Sequence, residues 1–148
     1  MKIISFNINS VRARPHQLEY IRDHLDPDII GLQETKVHDD EFPVELVNEI
    51  GYHCEFWGQK GHYGVALLSK KKPLEISKGF SKDTTEDQKR FIQGRYKFKN
   101  GDILILNGYF PQGENRNHET KFPKKVKFYK DLKSHIQKLQ KCSSNIIV

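Results

Sequence analysis

The stretch Asp26-Pro27-Asp28-Ile29-Ile30-Gly31-Leu32-Gln33-Glu34-Thr35-Lys36 constrains this chain more than any other. Its centre is too continuously apolar for the alternation of a half-solvated strand, so it predicts a short strand buried on both faces. Asp26-Pro27-Asp28 supplies the turn into it. It ends on Gln33-Glu34-Thr35, polar side chains delivered at the carboxyl end of a strand, the rim at which α/β folds bind ligands. A carboxylate held there by a rigid strand is well placed to hold a hard cation such as Mg²⁺. On this stretch alone, Glu34 also reads as a solvated residue at a strand end.

What precedes the stretch gives it a partner. Lys2 to Ile8 places Ile4, Phe6 and Ile8 on one side and predicts a strand. Asn7-Ile8-Asn9-Ser10 suits a turn, and Ser10 is expected in a turn conformation other than the left-handed one. Pro15 suits the first turn of a helix, on which Leu18, Ile21 and Leu25 fall at helical spacing. Strand–helix–strand implies a parallel pair with a right-handed crossover. That pairing brings Asn7 and Glu34 to one rim, where an amide oxygen and a carboxylate can share a cation.

Beyond Lys36 the pattern predicts a short helix over Pro43 to Ile50 with Val44, Val47 and Leu46 inward, then strands over Tyr52–Trp57 and Tyr63–Ser69 around a polar loop. Leu74–Ser77 reads as an edge strand and Gly79–Gln88 as a surface loop. Lys99-Asn100-Gly101, between strands over Arg90–Phe98 and Asp102–Tyr109, is the strongest hairpin signal. A helix opening at Pro123 and running to about Gln140 places Val126, Tyr129, Leu132, Ile136 and Leu139 inward, and Cys142-Ser143-Ser144 breaks it. Asn145-Ile146-Ile147-Val148 reads as the start of a buried strand, cut short.

Charge is distributed unevenly. Residues 1–110 balance 16 basic against 16 acidic side chains, whereas residues 111–148 hold nine basic and three acidic and account for the net +6. A solvated lysine-rich helix face and a footprint for a phosphate backbone both remain open as its meaning. Mean hydropathy is −0.73, and no apolar run is long enough to span a bilayer. Cys54 and Cys142 have no metal-ligand spacing, and the amino terminus lacks the apolar core of a signal peptide, so a cytoplasmic chain with free thiols is expected.

Five stretches then act together: Ile4-Ser5-Phe6-Asn7-Ile8-Asn9, Arg12-Ala13-Arg14-Pro15-His16-Gln17-Leu18, Asp28-Ile29-Ile30-Gly31-Leu32-Gln33-Glu34-Thr35-Lys36-Val37, the segment Gly58-Gln59-Lys60-Gly61-His62-Tyr63-Gly64-Val65-Ala66-Leu67-Leu68, and Asn107-Gly108-Tyr109-Phe110-Pro111-Gln112-Gly113. In this order they resemble the exonuclease III family of bacterial apurinic/apyrimidinic endonucleases, within the endonuclease–exonuclease–phosphatase superfamily. Leu32-Gln33-Glu34-Thr35 indicates only the superfamily; the Lys60-Gly61-His62-Tyr63-Gly64 segment and the Tyr109 loop point to the branch. The family usually carries glycine where this chain has Ser10.

The resemblance implies an α/β fold, the four-layer sandwich of deoxyribonuclease I-like proteins. It implies Mg²⁺-dependent phosphodiester hydrolysis, with Mn²⁺ as a substitute, both at abasic sites and from 3′ ends of double-stranded DNA. By the same resemblance Asn7 and Glu34 belong to the metal site, Tyr109 is the catalytic residue at the scissile phosphate, and Arg90 and Gln112 line the DNA-binding site. His62 stays a polar loop residue. Residues 1–148 are expected to be the N-terminal portion of one domain. That portion would carry one mixed β-sheet with flanking helices and lack the second sheet and the Gly-Asp-x-Asn acid that activates water. Ile4, Phe6, Ile30, Leu67 and Ile105 would then include bare residues, and the chain alone would be inactive, requiring its C-terminal half as partner. The rival readings are another phosphoesterase of the superfamily, a phosphatase or deadenylase, and a catalytically inactive nucleic-acid-binding fragment.

Overall fold

The opening unit forms as its pattern predicts. In the computed structural model, which describes residues 1–84, 87–99, 101–143 and 145–148, β1 (Ile3–Asn7) runs through α1 (Pro15–Leu25) into β2 (Ile29–Gln33). Pro15 stands in the first turn of α1, where its missing N–H costs nothing. The helix stops at Asp26, whose left-handed backbone lets its N–H close on Arg22 O and Ile21 O. β1 and β2 pair in parallel with Asn7 opposite Gln33.

Two sheets are present among the described residues, not one. The first has the order β1-β2-β4-β3, with β3 at His53–Trp57 and β4 at Val65–Ser69. The second has the order β5-β6-β7-β8, built from Glu75–Lys78, Phe91–Phe98, Gly101–Gly108 and Ile146–Ile147. Both are mixed, since β1–β2 and β7–β8 are parallel and the other pairs antiparallel. The α/β expectation holds, and the single sheet is corrected. The faces expected to be bare are covered: Ile30 and Leu67 are fully buried, Ile105 nearly so, and Ile4 and Phe6 partly.

Strand periodicity sorts side chains into three cores and so into four layers. Ile30, Leu32, Ala66 and Leu68 face α1 and α2 (Val44–Glu49), meeting Leu18, Ile21 and Val47. The alternate positions Ile29, Val65 and Leu67 meet Ile92, Tyr96 and Ile105 between the sheets. Phe91, Leu104 and Leu106 face α3 (Lys121–Leu139) and pack on Phe128 and Leu132. Every residue of β2 and of β4 is buried, because each strand is covered on both faces.

Three helix and loop expectations are corrected. Val44 is exposed, and Val47 with partly buried Leu46 forms the inner face of the one-and-a-half-turn α2. Tyr129 is 47% exposed, and the inner stripe of α3 runs through Phe128 instead. Phe128 meets Phe80 edge to face at 5.4 Å, whereas Tyr129 lies outward with its ring tilted against Phe110 at 5.6 Å. Phe80, in the segment read as a polar surface loop, is buried on Phe91 at 4.4 Å and anchors that loop. β6 and β7 pair up to Phe98–Gly101, although Asn100 of the predicted hairpin turn lies outside the described residues, as do Thr85 and Glu86 of that loop and Ser144 of the helix-breaking run. None of the described helices is long and apolar enough to cross a membrane.

Candidate active site

The ends of β1, β2 and β7 converge at one rim. Asn7 closes β1, Glu34 follows β2 and Tyr109 follows β7. The Asn7 amide nitrogen donates to Glu34 Oε1 at 2.8 Å, and its oxygen accepts the Asn9 backbone N–H at 3.1 Å. In this arrangement Asn7 orients the carboxylate rather than turning an oxygen toward a shared cation. Lys36 Nζ sits 2.9 Å from Glu34 Oε2 and also donates to Asn9 Oδ1. Burial pushes the Glu34 carboxyl up, but hydrogen bonds from Asn7, Tyr109 and Lys36 outweigh it and hold the group down at about 2. Glu34 is therefore ionised at neutral pH. Burial and the neighbouring Glu34 carboxylate push the Tyr109 phenol up, so it keeps its proton and donates.

Backbone strain is concentrated at this rim. Asn9, Ser10, Glu34 and Lys36 all have positive φ, between 48° and 88°. An L-residue in the left-handed region costs about 1–2 kcal/mol, so the surroundings must hold these residues in place. Two loops zip together to do so: Ser10 N donates to Glu34 O at 2.8 Å and Val11 N to Thr35 O at 3.1 Å. On the other side Thr35 N donates to Gly64 O and Lys36 N to Tyr63 O. Gly64 permits this approach, because a Cβ there would stand 2.1 Å from Thr35 Oγ1. Ser10, expected to avoid the left-handed region, has a φ of 88°.

Beneath the rim lies a polar pin between the sheets. Gln33 and Asn107 are buried on facing strands, and Gln33 Nε2 donates to Asn107 Oδ1 at 2.7 Å. Asn107 Nδ2 donates to Leu32 O and to Ala66 O, each at 2.9 Å. Gly31 makes room for it, since a Cβ there would meet the Asn107 side chain at 3.0 Å. The pin fixes β7 against β2 one residue before Glu34 and two before Tyr109.

A cleft of about 590 Å³ opens at the rim, with Glu34, Tyr63, Arg90, Tyr109, Gln112 and Lys121 among its walls. Four of the five predicted site residues are thus tied together: Asn7 to Glu34, Glu34 to Tyr109, and Tyr109 to Arg90 through a 2.9 Å bond from the guanidinium to its carbonyl. Arg90 is committed to this scaffold and is not a free clamp. Gln112 lines the same cleft with an exposed side chain, its carbonyl held by Lys125 at 3.1 Å, and His62 stands at the wall. The reading from sequence passed over Lys36, the Gln33–Asn107 pin, Tyr63 and Gln88. For the pin a signal existed, polar residues closing two apolar strands; for Gln88 there was none.

The donor chemistry suits a hard cation. Glu34 Oε2 and Asn9 Oδ1 are oxygen donors that already converge on one cationic group, the Lys36 ammonium. No group of three or more His, Cys, Asp or Glu side chains arranged for a metal is found among the described residues, so the set is partial.

Residues 4–148 match the Endonuclease/Exonuclease/phosphatase family. The chain belongs to that family. It is 53% identical over 148 residues to exodeoxyribonuclease III of Haemophilus influenzae, an alignment covering all of this chain and 55% of the relative. It is 31% identical over 117 residues to the DNA repair nuclease APEX1 of Danio rerio, over 75% of this chain and 36% of that one. A 3′ phosphatase from Neisseria, solved bound to a product DNA hairpin, superposes with a TM-score of 0.89 at 28% identity, over 99% of this chain and 55% of its own. An AP endonuclease from Archaeoglobus fulgidus gives 0.82 at 36% identity, over 93% and 51%. The chain spans about half the length of the exodeoxyribonuclease III and of the two solved enzymes it matches.

Proposed function

We propose that this family member works as part of an exodeoxyribonuclease III-type repair nuclease that hydrolyses phosphodiesters of double-stranded DNA at abasic sites and 3′ ends. The observation that carries the reading is the Glu34 carboxylate, kept ionised by Asn7, Tyr109 and Lys36 at the mouth of a cleft walled by Arg90 and Lys121. Residues 1–148 are read as the N-terminal portion of a single domain. The groups that resemblance assigns to the Gly-Asp-x-Asn and Ser-Asp-His motifs come from the remainder, as a continuation of the chain or as a separate partner. A cytoplasmic location, with DNA as the other partner, accompanies this reading.

Mg²⁺, or Mn²⁺ in its place, would be held by Glu34 with Asn7 and Asn9 shaping the shell, and would supply neutralisation of charge on the phosphoryl and leaving oxygens. The chain's own groups do the rest. Asn7 fixes the carboxylate rotamer. Tyr109 keeps its proton at neutral pH; in the free chain that proton goes to Glu34, and a bound phosphate oxygen would take it in Glu34's place. Arg90 holds the Tyr109 backbone, Gln112 offers an amide to the duplex, and Lys121 and Lys124 draw the phosphate backbone to the cleft.

The test joins this chain to the remainder of the Haemophilus relative, in cis or as two polypeptides. A duplex with one abasic site should then be incised, and a 3′ end shortened, in an EDTA-sensitive way. Activity should fall on the order of 10²-fold in Glu34→Gln, and clearly in Tyr109→Phe. Incision indifferent to Glu34→Gln would remove Glu34 from the metal site. Incision by the 148-residue chain alone would overturn the division of labour.

A further inference from the structure

Gln88 takes no part in the proposed function, yet its side chain joins two walls of the cleft, Arg90 and Tyr63. It is part-buried just before β6, and its amide is used at both ends. Oε1 accepts from Arg90 Nε at 2.6 Å, and Nε2 donates to the Tyr63 hydroxyl at 2.7 Å. Amide orientation is assigned from the hydrogen-bond network, and here it is forced. The Arg90 Nε–H has only a proton to offer, so the oxygen must face it and the nitrogen must face Tyr63. The Tyr63 oxygen is therefore an acceptor toward Gln88. Its own proton is left to point elsewhere, on a side chain that lines the cleft.

The guanidinium completes the unit. Its carbon stands 4.5 Å from the Tyr63 ring centre and 4.7 Å from that of Tyr109, between two aromatic faces. One terminal nitrogen holds the Tyr109 carbonyl at 2.9 Å, and the Tyr109 N–H returns a bond to the Arg90 carbonyl at 2.7 Å. Burial lowers Arg90 from its ordinary value, yet guanidinium chemistry keeps it charged. A charge half withdrawn from water needs its donors satisfied, and Gln88 accepts the Nε–H while the Tyr109 carbonyl accepts from a terminal nitrogen.

We propose that Gln88 is a positioning residue which locks Arg90 between Tyr63 and Tyr109 and turns the Tyr63 hydroxyl into a second hydrogen-bond donor for a phosphate oxygen of bound DNA. The second half of this statement rests on the reading of the cleft as a phosphodiester site; the first half does not. Two phenols flanking one guanidinium grip a phosphate from two sides, whereas Tyr109 alone grips it from one. A glutamine is required because the position needs an acceptor toward Arg90 and a donor toward Tyr63 on one planar group.

The test uses the full 148-residue chain and two readouts. The first is hydrogen exchange at the Arg90 Nε–H by NMR, with β6 and β7 backbone amides as the control for global stability. Gln88→Met keeps the volume and removes both bonds, and should speed that exchange at least about tenfold while the strand amides are unchanged. Gln88→Glu keeps the acceptor and should retain protection. Unchanged exchange in Gln88→Met, or equal loss in both variants, overturns the positioning role. The second readout is affinity for a labelled 20-base-pair duplex at low salt. Tyr63→Phe and Gln88→Met should each weaken it about two- to tenfold, the scale of one hydrogen bond. The double variant should be no weaker than Gln88→Met, because that variant already removes the contact that Tyr63→Phe removes. Additive losses overturn the Tyr63 assignment. If the unaltered chain binds no duplex, the Tyr63 donor role falls, whereas the phosphodiester reading stands or falls on the incision test with the remainder supplied, and the exchange result still decides Gln88.

Discussion

The Glu34 rim and the α3 interface are built on opposite terms. At the rim, four non-glycine residues carry left-handed backbone, a carboxylate is held against a lysine, and two amides are buried between sheets. At the α3 interface, Phe80, Phe91, Phe128 and Leu132 pack as an apolar cluster. The first region uses strain and desolvation to hold geometry; the second supplies stability by removing apolar surface from water. A domain tolerates the first only because the second is sound.

Perturbing the interface should have the largest effect. Phe128→Ala should lower unfolding free energy by about 3–5 kcal/mol in urea denaturation, while Tyr129→Ala, one residue on, should cost under about 1 kcal/mol. Equal losses would mean the helix is rotated from the phase described here. Next comes the pin. Asn107→Leu removes the bonds to the carbonyls of Leu32 and Ala66 and one of the three acceptors of Gln33 Nε2, which keeps Ser5 Oγ and Gly31 O, and should cost roughly 1–3 kcal/mol. It should also disturb the Glu34–Tyr109 pair, visible in the tyrosine ring NMR shifts, which Phe128→Ala in its folded fraction should leave alone.

Acid titration separates the two regions a third way. Glu34 falls from its ordinary 4.5 to about 2 in the folded chain, so its ionised form favours folding. That contribution is complete above pH 4.5 and is lost as pH falls toward 2. Partial solvent screening brings it to about 1–2 kcal/mol. Stability against pH should flatten across this window in Glu34→Gln and keep its slope in Phe128→Ala. The smallest effect tests the strain itself. Ser10→Gly should stabilise by about 0.5–1 kcal/mol in thermal or urea melts, since glycine occupies a φ of 88° without penalty but loses more entropy on folding. A destabilising Ser10→Gly would show that the serine side chain is bonded in a way that outweighs its backbone cost.

Much of this molecule is local and was legible in the chain. The parallel pairing of β1 with β2, and with it the meeting of Asn7 and Glu34, follows from strand–helix–strand order and the handedness of the crossover. The burial of β2 and β4 follows from their unbroken apolar runs. Pro15 announced α1, and the ordered motifs announced the family.

Only the tertiary structure decided the rest, because those features depend on which surfaces meet. Whether Phe128 or Tyr129 faces inward is a rotation of one residue, about 100°, that an amphipathic pattern rich in lysine leaves undetermined until Phe80 and Phe91 offer a pocket. The second sheet needs β5 to β8 paired and packed on the first through Ile92, Tyr96 and Ile105, contacts between residues far apart in sequence. Ser10 is driven to positive φ by the hydrogen bond its N–H makes to Glu34 O, on a loop 24 residues away. Arg90 reads as a free cation until Gln88, Tyr63 and Tyr109 close around it. Sequence determines what each segment prefers by itself; the side-chain contacts between segments determine where strain is held and which polar groups are left facing the cleft.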